Sequence, residues 1–334
     1  MRKAKVSPYY SEPLLFESDN VQWNTALGLL EALRLAEART AFLAYRDVNR
    51  GHIDISGYLA VLEHIERGLA DLPDGKAGAQ ALGRLAKNLR ELIQRLGLEA
   101  EPVPAELPRL LFEQAADYLN LKELASDPFL PDGTPAGLLY LQAGQADPAI
   151  AALQAALPHR KENASIYGYL GDSYTLRGDS TAARICYLEA FLIDPTAIDM
   201  ETFADPDLLA LERRLVQDDA LSPEAARLWL PSHAYIDGLF RPKIISLLEA
   251  VKTLVEEYLS LEKEFLRTGD PRQGAALFLR ALVLCDNETF LRMVKGIDFT
   301  DIRARMKSLN PALFAAYLQS IQDRTRPRSE QRRK

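Results

Sequence analysis

Apolar residues recur along most of this chain at intervals of three and four positions, which is the spacing of one face of an α-helix. No run of alternating apolar and polar residues bounded by hairpin turns interrupts that pattern. The pattern predicts an all-α fold, whose first helices lie near 21–46, 56–72, 76–97 and 106–124. Three later helix starts carry a capping residue followed by proline, which tolerates the first helical turn because its missing N–H costs nothing there. They are Thr134-Pro135, Ser222-Pro223 and Asn310-Pro311.

The centre of the chain contains an internal repeat with a period of 34 residues. The first copy has glycine, tyrosine and alanine at five positions: Gly137, Tyr140, Gly144, Ala149 and Ala156. The same residue types return 34 positions later, in a copy with four further signature residues: Gly171, Tyr174, Gly178, Ala183 and Ala190, with Tyr167, Leu170, Tyr187 and Pro195. Self-similarity at such a period indicates a repeat architecture.

These spacings resemble the tetratricopeptide repeat (TPR), a 34-residue helix-turn-helix with small and aromatic residues at the same positions. The resemblance implies a TPR-like right-handed helical-repeat solenoid, flanked by irregular helical N- and C-terminal regions. We therefore expect an N-terminal helical region over 1–126, tandem repeats over 127–200, a C-terminal helical region over 201–323 and a basic disordered tail over 324–334. A degenerate copy is expected at 255–288, on the same spacing of Tyr258, Leu261, Phe265, Gly269, Gly274, Phe278 and Ala281, although Glu262 replaces a small residue.

The residue types suit the packing of paired helices. Small side chains at Gly171 and Ala183 are expected where the two helices cross, with Tyr174 and Tyr187 filling the adjacent space. Ala190 would let the next repeat pack closely. Gly178 and Pro195 are expected to end the first and second helix of the pair.

Repeats of this family typically bind peptides or partner helices in a concave groove lined by the first helix of each pair. The resemblance places eight residues on that face: Leu138, Leu141 and Gln142 in the first copy, and Ser165, Gly168, Asp172, Thr175 and Leu176 in the second. The face lacks the basic and amide residues that grip acidic chaperone C-termini, so an apolar or basic segment fits better. The alternative is that flanking helices cover this face, because few repeats cannot bury their own apolar sides.

Charge is distributed unevenly. The chain has a formal net charge of −7, but its last eleven residues carry six basic side chains and one acid. The rest is strongly acidic and would repel phosphate backbones, so nucleic acid is disfavoured as a partner except through the tail. The N-terminus lacks a secretory apolar stretch, and no segment runs eighteen apolar residues without a charge. These features favour a cytoplasmic protein without a membrane span.

No cofactor or metal site is expected from the sequence. Cys186 and Cys285 lie in apolar helical patterns without metal spacing, so they are interpreted as buried thiols. The segment 47–54 faintly resembles a calcium-binding loop, but Gly57 stands where a bidentate glutamate should be. The four histidines form no metal-binding pair, and no serine lies in a GxSxG motif. Catalytic residues are therefore not predicted.

The leading hypothesis is a protein–protein interaction scaffold or adaptor that binds a peptide or helix of an unidentified protein partner through a TPR-like groove. A second hypothesis is a nucleic-acid-associated regulator that uses the arginine-rich tail, and a narrower one is a subunit or chaperone of a bacterial secretion or assembly machine. A homo-oligomer is also considered, because a long helix from about Pro242 to Arg267 carries a wide apolar stripe. Its members are Ile244, Leu248, Val251, Val255, Tyr258 and Leu261.

Overall fold

The structure, a computed structural model, describes residues 13–48, 54–200, 202–218 and 220–325 of the 334-residue chain. Helices make up 74% of the structure, and the described residues form no strand, which confirms the all-α prediction. The chain folds into two compact units, Met1–Ala155 (the N-terminal unit) and Ala156–Lys334 (the C-terminal unit). None of the described helices is long and apolar enough to cross a membrane. Most of the calcium-like loop, residues 49–53, and the tail from residue 326 lie outside the described residues.

The described part of the N-terminal unit contains eight α-helices, the last of which ends at the boundary of the unit: α1 (Pro13–Glu31), α2 (Leu35–Val48), α3 (Ser56–Leu69), α4 (Gly75–Arg95), α5 (Pro102–Asp117), α6 (Leu121–Leu124), α7 (Gly137–Gln142) and α8 (Ala146–Ala156). The prediction of a single helix over 21–46 is wrong, because the chain turns at Leu33, whose φ of 54° is left-handed. The turn brings Trp23 edge-on against Phe42, with 5.5 Å between ring centroids. Aromatic packing thus stabilises a hairpin where the pattern suggests one helix.

The helices α7 and α8 form the first repeat copy. Gly144 lies between them with a φ of 75°, a left-handed conformation that glycine adopts without a Cβ penalty. A Cβ on Gly137 would come within 2.6 Å of Leu153 Cγ and 3.0 Å of the Ala149 carbonyl oxygen. The two helices therefore cross at Gly137 in contact that leaves no room for a side chain.

The C-terminal unit contains nine α-helices among its described residues: α9 (Ala164–Leu176), α10 (Ser180–Ile193), α11 (Pro206–Gln217), α12 (Pro223–Ile236), α13 (Leu248–Thr268), α14 (Pro271–Asp286), α15 (Glu288–Leu291), α16 (Phe299–Leu309) and α17 (Pro311–Thr325). The predicted starts at Pro223 and Pro311 are confirmed, and Ser222 and Asn310 accept backbone N–H groups as caps. The start predicted at Pro135 is wrong by two residues, because Pro135 forms an isolated bridge with Phe129 and α7 begins at Gly137.

The helices α9 and α10 form the second repeat copy. Gly178 turns the chain with a φ of 84°, 34 residues after Gly144. Gly171 lies against the fully buried ring of Tyr187, where a Cβ would come within 2.5 Å of Cε1. The remaining packing residues of both copies are buried or half-buried: Tyr140, Ala149, Ala156, Tyr167, Leu170, Tyr174, Ala183, Ala190 and Pro195.

The helices α13 and α14 form a hairpin at the place of the degenerate copy. Gly269 ends α13 in a left-handed conformation, and Asp270 caps α14 by accepting from the Arg272 N–H. The helix α14 is the most deeply buried of this unit and packs against α10, α12, α13 and α16. The helix predicted from Pro242 starts only at Leu248, and three of the six residues of its apolar stripe are buried within the unit: Val251, Val255 and Tyr258.

The division between the units, after Ala155, falls inside the segment 127–200 that was predicted as one domain. The hydrophobic cores explain the division. The side chains of α7 and early α8 join the core of α2 to α5, whereas those of α9 and α10 join the core of α11 to α17. Each repeat copy thus belongs to a different compact unit.

Candidate functional site

The face of α9 predicted to line a groove is covered in part by the chain's own residues 197–200 and 202–204. The Ser165 hydroxyl donates to the Ala197 carbonyl oxygen at 2.8 Å. Gly168 is buried, and a Cβ placed there would lie 3.6 Å from Ile198. Three of the predicted groove residues, Ser165, Gly168 and Asp172, therefore contact the chain itself, which corresponds to the covered-face alternative.

Asp172 is a buried carboxylate with three hydrogen bonds. It accepts from the hydroxyls of Tyr187 at 2.6 Å and Thr202 at 2.7 Å, and from the Ala204 N–H at 3.2 Å. Burial raises the pKa of Asp172 from 3.8 to about 7, although these hydrogen bonds oppose the shift. With 1% of its surface exposed, Asp172 attaches residues 202–204 to α9 and is not accessible to a partner.

The other predicted groove residues do not converge on one open surface. Leu138, Leu141 and Gln142 belong to the N-terminal unit, where Gln142 accepts from the guanidinium of Arg90 on α4 at 2.9 Å. In the C-terminal unit, Thr175 donates to the backbone of its own helix. Leu176 is half-exposed at the end of α9.

A cavity of the C-terminal unit lies between α10, α13, α14 and an extended segment, residues 241–247, which we call the strap. This cavity, the strap cleft, has a volume of about 800 Å³. Its apolar lining comes from Leu192, Ile193, Ile244, Ile245, Ala250, Leu254 and Val283. Its charged lining comes from Glu162, Glu189, Lys243, Glu257 and Arg280.

The strap is held by one buried amide side chain. Asn287 accepts from the Ile245 N–H at 2.7 Å and donates to the carbonyl oxygens of Lys243 at 2.7 Å and Val283 at 2.8 Å. The Lys243 N–H also donates to the Tyr235 hydroxyl at 3.2 Å. The Asn287 amide thus provides hydrogen-bond partners for the Ile245 N–H and the Lys243 carbonyl oxygen. The strap therefore stays extended, although its residues Ile244 and Leu247 are about two-thirds exposed.

The charged groups of the strap cleft are paired unequally. Lys243 donates to both carboxylate oxygens of Glu189 and so joins the strap to α10. Arg280 on α14 has only 12% of its side chain exposed, and its nearest carboxylate oxygen, on Glu257, lies 3.8 Å from Nε. Burial lowers the pKa of the Arg280 guanidinium, which the charge of Glu257 opposes. The cleft therefore has one satisfied ion pair and one buried cation in loose contact with a carboxylate.

Sequence reasoning did not identify Arg280 or Asn287. One signal was present, because Arg280 is the only charged residue in the apolar run 274–285, GAALFLRALVLC. A charge inside a helix that is otherwise apolar on all sides must find a polar partner or reach a cavity. Asn287 carried no comparable signal, since an asparagine after a helix is an ordinary cap.

The two cysteines are free thiols. Burial raises the pKa of both thiols, Cys186 and Cys285, to about 12, so they stay protonated at neutral pH. Within the described residues, no group of three or more His, Cys, Asp or Glu side chains is placed to hold a metal ion. No family model, curated protein or solved structure matches the chain.

Proposed function

We propose that the protein is a protein-interaction scaffold or adaptor that binds a short segment of a partner protein in the strap cleft. The observation that carries the proposal is the composition of that cleft, an apolar lining of seven residues with charged groups on several walls. Such a surface suits a peptide, whose apolar side chains are buried while its polar groups meet a few fixed charges.

The helical hairpins support the same proposal. Three hairpins turn at left-handed glycines, at Gly144, Gly178 and Gly269, and the first two glycines are 34 residues apart. We interpret them as TPR-like units that act as a rigid support, with α10 and α14 each serving as the second helix of a pair and lining the strap cleft. The proposed partner site is therefore the cleft beside α10 and not the face of α9 that the repeat spacing predicted.

A matched pair of substitutions on one helix tests the proposal. Leu254 and Leu266 both lie on α13, but Leu254 lines the cleft, whereas Leu266 is 62% exposed away from it. Tagged protein is recovered from its own cells with nuclease treatment, and the bound proteins are identified by mass spectrometry. We expect Leu254→Glu to lose a partner that Leu266→Glu retains, with unchanged helical content by circular dichroism.

Two results would contradict the proposal. If both variants recover the same proteins as the natural chain, the strap cleft is not the binding site. If recovery depends on nucleic acid and ends with truncation after Asp323, the tail carries the interaction and the nucleic-acid hypothesis replaces the scaffold.

A further inference from the structure

We infer that the strap cleft recognises a carboxylate on its partner segment, received by the guanidinium of Arg280. This inference rests on the proposed function and specifies the chemistry of the ligand. It makes the partner a peptide with an aspartate, a glutamate or a free C-terminus flanked by apolar residues.

Arg280 offers hydrogen-bond donors to the strap cleft. A guanidinium has five N–H donors, and no nitrogen of Arg280 is both buried and without a partner, so the donors that lack a protein acceptor reach the solvent of the cleft. Among the described residues, none accepts a hydrogen bond from Arg280, and its contact with Glu257 is 3.8 Å long. The donors are therefore available to an anion that enters the cleft.

The glutamates that line the strap cleft do not prevent a ligand carboxylate from reaching Arg280. Glu189 is neutralised by Lys243, which donates to both of its oxygens. Glu162 is exposed at the rim, and Glu257 keeps 53% of its side chain in solvent. A ligand carboxylate can displace Glu257 from Arg280, because the exposed glutamate regains full hydration when it moves away.

The planar guanidinium and its apolar surroundings determine which ligand groups the cleft can bind. Planar guanidinium groups bind carboxylates through two parallel N–H···O bonds, which are among the stronger hydrogen bonds in proteins. Leu254 and Ile193 lie in the same cleft and offer apolar contact beside the charge. The cleft thus selects an acidic group with apolar neighbours, which differs from the apolar or basic segment predicted for the α9 face.

The test uses two pools of fluorescein-labelled, C-terminally amidated heptapeptides with the same mixed flanks of Ala, Leu, Val, Ser and Lys, so that neither pool carries a terminal carboxylate. One pool has Asp at the centre and the other has Asn, and binding to the full chain is followed by fluorescence anisotropy. We expect the natural protein to bind the Asp pool about tenfold more tightly, which is the effect of one charged hydrogen-bonded pair. Arg280→Gln should reduce that ratio to about one.

A second variant shifts the ratio in the opposite direction. Glu257→Gln removes the carboxylate that competes for Arg280 and changes an exposed side chain, so it should fold and bind the Asp pool more tightly than the natural protein. Arg292→Gln is the control, since Arg292 is 68% exposed and pairs with Glu288 outside the cleft. It should leave the ratio unchanged.

The outcomes separate this inference from the proposed function. If both pools bind equally well and Leu254→Glu abolishes both, the cleft binds peptides without reading a carboxylate, and the inference is overturned alone. If neither pool binds, both this inference and the proposed function are contradicted. A loss of preference in Arg292→Gln equal to that in Arg280→Gln would also overturn the inference, because it would indicate general charge attraction.

Discussion

Asp172 shows how a single residue can match a family spacing and serve a different purpose. The repeat spacing places it on a groove-facing position of α9, yet the structure buries it under residues 202–204. Local spacing fixes the direction of a side chain on its helix. It does not reveal which distant segment covers that side chain, and in this chain the covering segment lies beyond Pro195.

The raised pKa of Asp172 predicts a stability that depends on pH. Between the unfolded value of 3.8 and the folded value of about 7, the folded state binds one more proton than the unfolded state. The free energy of unfolding therefore falls as pH rises from about 4 to about 7 and levels off above pH 8. The loss is on the order of 3 kcal/mol. Urea unfolding at pH 5.5 and 8.5 should show about 2 kcal/mol of this loss, because the remainder occurs below pH 5.5.

Asp172→Asn should remove this dependence while keeping the hydrogen bonds. The amide oxygen can accept from Tyr187 and Ala204, and its NH₂ can donate to Thr202, whose hydroxyl then donates to the Asp199 carbonyl oxygen, 3.2 Å away. The Asp172→Asn variant should therefore have about the same free energy of unfolding at pH 5.5 as at pH 8.5. An equally steep loss in Asp172→Asn would show that another group carries the effect.

Gly171 and Gly168, three residues apart on α9, predict opposite effects of the same substitution. Gly171→Ala places a methyl group within 2.5 Å of the fully buried Tyr187 ring, and overpacking of this kind costs about 1–3 kcal/mol. Gly168→Ala meets Ile198 only at 3.6 Å, and removing a helical glycine should stabilise the protein by about 0.5–1 kcal/mol. Thermal unfolding of the two variants measures the difference. If both substitutions destabilised the protein, the close packing of α9 would not be confined to Gly171.

At the scale of elements, the turns followed from the sequence better than the long-range contacts did. Gly144 and Gly178 turn the chain where the repeat placed them, because a left-handed backbone selects glycine locally. The turn at Leu33 has no such residue and depends on the packing of α1 against α2. The strap carries helix-compatible residues, but Asn287, more than forty positions later, holds it extended.

Asn287→Ala should release the strap. The Ile245 N–H and the Lys243 carbonyl would lose their partner, so the Ile245 amide should exchange with solvent at least about tenfold faster, as expected for a lost hydrogen bond. Asn287→Asp keeps the acceptor for Ile245 and should give an intermediate rate. Hydrogen exchange followed by mass spectrometry or NMR reports both. Unchanged exchange in Asn287→Ala would show that other contacts hold the strap.

At the scale of the whole molecule, the chain divides into two compact units, each with its own hydrophobic core. The sequence predicted the all-α class, but several helix bounds differ from the prediction. The repeat spacing also grouped both copies in one predicted domain. Cores are formed by contacts between distant segments, and repeat spacing describes only neighbours. The strap cleft has the same origin, since Glu189, Lys243, Leu254 and Arg280 come from four separate elements.

The central claim, that a partner segment occupies the strap cleft, is tested most directly by photo-cross-linking from Thr253. This exposed residue lines the cleft on α13, and Leu266 on the same helix provides the control position. A photoreactive amino acid is placed at each position in the natural cells, and cross-linked peptides are sequenced. The account predicts one dominant partner segment containing an acidic residue, captured from position 253 and not from 266. Capture of the same segment equally from both positions, or only from 266, would contradict it.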